Sequence, residues 1–145
     1  MKNFHDFSYY GTMYIGSPPQ EVSLIFDTGS DWLTVESASC GNCRGVNFDQ
    51  DASTTFKFVG EDTSQREYGS ATLKGIEVQD KVCLLKNDNS DIGSVCLESF
   101  IWFLIKHQSG INNRIDGVLG LSRSVMAAEE LEDDTIRDIG PLLVK

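Results

Sequence analysis

The chain has 145 residues, room for one domain or for one lobe of a larger one. Its 40 % apolar and 23 % charged residues exclude disorder, and 13 Gly and 3 Pro scattered along it exclude collagen-like and low-complexity classes. Lys plus Arg number 12 against 22 Asp plus Glu, a formal charge of −10 that repels phosphate backbones and anionic lipid, so neither nucleic acid nor a membrane is an expected partner.

Val, Ile and Thr total 28 and Ala only 5, a bias toward pleated, half-buried strands. The opening Met1-Lys2-Asn3-Phe4-His5-Asp6 lacks the apolar run of a signal peptide. Residues 9–15 and 22–26 read as strands joined by the turn Gly16-Ser17-Pro18-Pro19-Gln20. In the second, Val22, Leu24 and Phe26 share one face and Ile25 takes the other, which places the strand inside a sheet or sandwich. Residues 33–35 continue as strand, 40–50 as loop and 55–59 as strand again. Residues 66–84, with Tyr68-Gly69-Ser70 near the start and Gly75 within, read as a hairpin with a flexible tip. Asn87-Asp88-Asn89-Ser90-Asp91 is a turn, and 94–105 a long return strand. The apolar run 100–105 falls far short of the roughly 20 residues that cross a bilayer. Residues 115–121 form a short apolar run broken by glycines, and only 125–138 reads as helix, its acids forming a solvated face. An all-β body with a minor helix near its end is predicted.

Chemistry concentrates at Phe26-Asp27-Thr28-Gly29-Ser30. A carboxylate directly after an interior strand is held where burial raises its pKa, while the hydroxyls and amide N–H groups of such a turn lower it. Gly29 lacks a Cβ and lets another backbone or a substrate come close. Alone, Asp-Thr-Gly reads as an Asx-type turn. In context, apolar–apolar–Asp27-Thr28-Gly29-Ser30, the hairpin with Tyr68-Gly69-Ser70 and Asp116-Gly117-Val118-Leu119-Gly120 together resemble the N-terminal lobe of pepsin-like aspartic proteases. The opening Tyr10-Gly11-Thr12 and Ile15-Gly16-Ser17-Pro18-Pro19-Gln20 is similar to that family's first hairpin, and Asn47-Phe48-Asp49 with Ser53-Thr54-Thr55-Phe56 to a later stretch, so the likeness runs from about residue 7 to 124.

The resemblance implies an aspartic endopeptidase in which Asp27 is one of two catalytic carboxyls, with peptide or protein as substrate, no cofactor and no metal. The partner carboxyl would come from a second lobe. No second Asp-Thr-Gly or Asp-Ser-Gly occurs here, and Gly140-Pro141-Leu142-Leu143-Val144-Lys145 is reached before the family's first lobe would finish, so residues 1–145 are expected to be a single partial domain, inactive alone. Ser30 would hydrogen-bond the outer oxygen of Asp27, and Thr28 would brace the loop against the other lobe. Gly29 would offer its backbone to substrate. Tyr68, Gly69 and Ser70 would form a flap over a bound peptide, and Val118-Leu119-Gly120 would pack beneath the catalytic loop. Ile25, Ile115 and Val118 would be walls of the apolar pocket, or plain core.

Cys40 and Cys43 fall where the family places a small disulfide loop, a better fit than zinc, for which Cys83 and Cys96 lack the spacing, or than a redox motif, which needs a helix N-terminus. Cys83 and Cys96 flank a turn and are candidates to pair across neighbouring strands. Two bridges imply the secretory pathway, with a lysosome, a vacuole or the cell exterior as destination. His5 and His107 read as surface residues. The sequence departs from the family pattern in two further places. Ala71 stands at a flap position usually held by Gly, where a Cβ costs about 1 kcal/mol if φ must be positive. Thr34 stands where a flap-supporting Trp is common, and Trp32 sits two places early for that role. Two alternatives remain open on the residues: a homodimer supplying one Asp27 per subunit, as in retroviral proteases, and a non-catalytic pepsin-fold binding protein.

Overall fold

The computed structural model of the chain describes residues 2–4, 8–45, 48–69, 71–86, 95–111 and 114–122. The helix expected over 125–138, the turn at 87–91 and Ser70 lie outside the described residues. Regular structure consists of β1 (Lys2–Phe4), β2 (Ser8–Ile15), β3 (Gln20–Asp27), β4 (Leu33–Glu36), a 3-10 turn (Gln50–Ala52), β5 (Lys57–Phe58), β6 (Ser64–Tyr68), β7 (Ala71–Cys83), β8 (Cys96–Ser109) and β9 (Gly117–Gly120). Among the described residues the body is all-β, as the β-branched composition favours. Within the segment read as loop, Asp49 caps the 3-10 turn by accepting the Asp51 N–H at 3.0 Å. The strand expected over 55–59 is limited to Lys57–Phe58, and the hydroxyl of Thr55 ahead of it donates to Asp80.

The strands run in the order β1-β2-β3-β9-β4-β8-β7-β5, with β6 added to β7. A second contact, Tyr14 and Ile15 of β2 against Cys83 and Val82 of β7, brings the sheet back on itself. The strands β2, β3, β9, β4, β8 and β7 thereby form a ring, and all six feed one core, with Met13, Leu24, Leu119, Val35, Trp102 and Val78 fully or almost fully buried in it. Phe48, from the connecting segment, meets Trp102 edge to face at 5.2 Å. Strand β3 lies between β2 and β9, where a strand apolar on both faces belongs.

Residues 100–105 of β8 are buried throughout because the strand separates two apolar regions. Phe100, Trp102 and Leu104 point into the main core, while Phe103 and Ile105 point the other way and join Leu73 in a smaller cluster. Trp32 and Tyr68 pack on that second cluster, so the apolar back of β8 forms the bed of the functional region. Disulfides join Cys40 to Cys43 and Cys83 to Cys96. The second ties directly opposed residues of β7 and β8, with Cα atoms 4.1 Å apart.

One buried acid couples this fold to pH. Glu36 of β4 is fully buried and accepts the Gly45 N–H at 2.9 Å. Burial pushes its carboxyl up from the usual 4.5, outweighing the backbone N–H groups of Gly45 and Arg44, and the nearby Asp116 charge adds to the rise. A raised folded-state pKa means the folded chain holds this proton more tightly than the unfolded chain does. Its contribution to stability is therefore fully present below about 4.5 and is lost as pH rises through the folded-state value. Urea unfolding at mildly acid and at neutral pH is expected to show a loss of stability toward neutrality that Glu36→Gln reduces. An unchanged difference in the variant removes Glu36 from the effect.

Candidate active site

The site follows from the position of β9 between β3 and β4. On one side β9 runs parallel to β3, with Leu24 opposite Gly117 and Asp27 opposite Gly120. On the other it runs antiparallel to β4, with Leu33 opposite Leu119. The chain leaving β3 at Asp27 must therefore arch over the end of β9 to enter β4 at Leu33. Three backbone hydrogen bonds hold this arch: Gly120 N–H to the Trp32 carbonyl at 2.9 Å, Leu121 N–H to that of Asp27 at 2.8 Å, and Ser122 N–H to that of Ser30 at 2.9 Å. Gly120 is required by this closeness, since a Cβ there would stand 2.5 Å from the Trp32 nitrogen and 2.6 Å from the Ser30 oxygen.

Half-buried at the start of the arch, the Asp27 carboxylate accepts the Gly29 N–H at 2.9 Å. It faces an open cleft of about 1150 Å³. The arch 27–32 with Ile25, Phe26 and Val118 lines one side, and Gln65, Arg66, Glu67, Tyr68 and Gly69 of the β6–β7 hairpin line the other. Ile25 and Val118 are cross-strand neighbours, which makes them a joint apolar patch beside Asp27. Burial pushes the Tyr68 phenol above its usual 10.0. Arg66 pulls it down, Asp31 pushes it up, Ser30 pulls it down by hydrogen bonding, and Asp27 adds a further upward push. Tyr68 thus stays a protonated donor across the acid and neutral range, in the field of both carboxylates.

A carboxylate on a hydrogen-bonded arch, opposed across a cleft by a hairpin tyrosine, agrees with what sequence comparison finds. The profile of the eukaryotic aspartyl protease family matches residues 8–138. The chain belongs to the aspartyl protease family. It is 34 % identical over 136 residues to pepsin II-1 of Oryctolagus cuniculus, covering 90 % of this chain and 33 % of the relative. Against cathepsin E of Mus musculus the identity is 36 % over 131 residues, 87 % of this chain and 31 % of the relative. Chymosin of Callithrix jacchus is 31 % identical over 134 residues, 89 % and 33 %. The chain spans about a third of the length of these curated relatives.

Within this aspartyl protease chain the expected site residues mostly converge. Asp27, Thr28, Gly29, Ser30, Ile25, Val118, Tyr68 and Gly69 all line the one cleft, Thr28 and Gly29 as exposed residues of the arch. Ile115 does not line it. It precedes β9, five positions before Gly120 and so about 16 Å away along an extended strand, at the end remote from Asp27. Nor is the hydrogen bond from Ser30 to the outer oxygen of Asp27 formed. The Ser30 Oγ is buried and faces the Tyr68 phenol instead. Ala71 opens β7 opposite Tyr68, an extended strand position, so the extra Cβ meets no strained backbone, and a positive φ, +55°, falls at Gly69.

Trp32 corrects another expectation. Two places early in sequence, it nevertheless reaches the hairpin: the Arg66 guanidinium lies 3.8 Å above its ring. Thr34, at the family's Trp position, is fully buried within β4. Tyr9, Asp31, Trp32 and Arg66 line the cleft without having been singled out as site residues. Two of them had a signal: Arg66 shares a strand face with Tyr68 by the two-residue period, and Tyr9 sits on the strand paired to β3. Gly120→Ala is expected to destabilise the chain by about 1–3 kcal/mol, because the overpacked arch must shift. The urea midpoint measures it, and a midpoint equal to the parent's would mean the arch does not depend on that approach.

Proposed function

We propose that the chain is the lobe of an aspartic endopeptidase that carries the first of two catalytic aspartates, Asp27, and that it acts on extended peptide or protein substrates. The observation that carries this reading is the Asp27 carboxylate at the floor of a cleft roofed by a hairpin bearing Tyr68. The second carboxyl belongs to another lobe, since none of the remaining acids stands in a second motif of this kind. Two carboxyls sharing one water cannot both ionise comfortably and hold one proton between them. The ionised member takes a proton from the water as it attacks the peptide carbonyl, and the protonated member gives one to the carbonyl oxygen.

The other cleft residues take supporting roles in this proposal. Gly29 N–H holds one Asp27 oxygen and leaves the other to water. Ile25 and Val118 make the apolar wall for the substrate side chain beside the scissile bond, and Gly29 meets the substrate backbone. Tyr68 and Gly69 close over the peptide and exclude water. Thr28, exposed on the arch, is the contact to the second lobe. The two disulfides support an oxidising setting, secretory, lysosomal or vacuolar.

The test uses the complete polypeptide in which this chain occurs, incubated with an acid-unfolded protein. Cleavage is expected, lowered about 10²–10⁴-fold by Asp27→Asn, while the 145-residue chain, verified as a monomer by light scattering, cleaves nothing above background. An Asp27→Asn protein as fast as the parent, or a monomeric 145-residue chain that cleaves, overturns the proposal.

A further inference from the structure

We propose that Arg66 is a positioning residue that pins β6, the outer strand of the hairpin, to the Asp27 arch by stacking its guanidinium on Trp32 and Phe103. This deepens the reading of the β6–β7 hairpin as a flap over the cleft and rests on it. Among the described residues strand β6 hydrogen-bonds to β7 alone, through the ladder from Ser64–Gly75 to Tyr68–Ala71, and so lies at a sheet margin. The same stretch of β7 is also paired to β8, from Thr72–Ser109 to Gly75–Ile105, so β6 is the strand held by one ladder alone and the one that peels away unless something ties it down.

Arg66 supplies the tie. Its guanidinium carbon lies 3.8 Å from the Trp32 ring centroid and 4.8 Å from that of Phe103. Nη2 stands 3.1 Å from Glu77 Oε1 on β7, and Nε is buried without a hydrogen bond among the described residues, so the two aromatic faces compensate its burial. The rings belong to the rigid part of the fold. Phe103 is fully buried in β8, and the Trp32 backbone carbonyl accepts the Gly120 N–H at the end of the arch. Arg66 and Tyr68 sit two residues apart on one strand face, so fixing Arg66 against Trp32 fixes how far the Tyr68 phenol stands from Asp27. The Glu77 ion pair is half-exposed and stays within the hairpin, because β6 and β7 are its two strands. It cannot tie the hairpin to the arch. A planar guanidinium stacks on both rings, whereas an ammonium keeps the charge and loses the plane.

Hydrogen exchange of the 145-residue chain tests this without any catalytic readout, so failure here leaves the protease reading standing, and failure of that reading leaves the tie measurable. Arg66→Met and Trp32→Leu are each expected to speed exchange of the 64–69 and 71–73 amides about tenfold while β2 and β3 keep their protection. The double variant should exchange no faster than the faster single one, since both remove the same contact. Arg66→Lys should exchange like Arg66→Met, and in Arg66→Met acrylamide should reach Trp32 fluorescence more readily, Trp102 being fully buried. Parent-like exchange in Arg66→Met or Trp32→Leu overturns the proposal, as does full protection in Arg66→Lys, which would show that the planar stack is not what holds β6. If Arg66→Met fails to fold, Arg66→Lys and Trp32→Leu decide.

Discussion

Three backbone hydrogen bonds at the end of β9 set the geometry on which the rest depends. Each contributes only about 0.5–1.5 kcal/mol net, but together they fix the path of the arch from β3 to β4. With Gly120, Leu121 and Ser122 donating to the carbonyls of Trp32, Asp27 and Ser30, the arch turns its backbone toward the sheet. The Asp27 carboxylate is left facing the cleft. The constraint is steric as well as polar. At Gly120 a Cβ would run into the arch, and at Gly117 into the carbonyl of Thr34, so β9 fits between its neighbours only with glycine at both positions.

Around that interlock the apolar pattern does two jobs. The ring of strands encloses the main core, and the other face of β8 supports Leu73, Trp32 and Tyr68. Burial on both faces of one strand thus joins fold stability to the placing of the hairpin above the arch. Glu36 gives its stabilising effect in the protonated form, and the only cation lining the cleft among the described residues, Arg66, is occupied by two rings and a carboxylate.

Much of this was legible in the sequence where a period or a local motif carries the information. The alternation in 22–26 marks an interior strand, and the turn at 16–20 separates β2 from β3 where expected. Asp27, Ile25, Val118 and Tyr68 belong to a common cleft, as the family pattern implied. What escaped depends on register and on contacts between distant segments. Ile115 is near Val118 in sequence, but a parallel strand carries it away from Asp27. Trp32 looked misplaced when judged by its position along the chain, yet a side chain at the end of the arch reaches over to Arg66 from a different backbone site than Thr34. Ala71 looked costly only so long as its own backbone was taken to be left-handed, whereas it opens a strand. Strand β1 has no apolar alternation of its own and exists by pairing with β2.

The most direct measurement is a crystal structure of the complete polypeptide in which this chain occurs, refined to a resolution at which ordered water is visible. The result expected is a second carboxyl across the cleft from Asp27, both within hydrogen-bond reach of one shared water and beneath the Tyr68 hairpin. An Asp27 that forms an ion pair, or that faces no second carboxyl when the whole chain is in place, would contradict it.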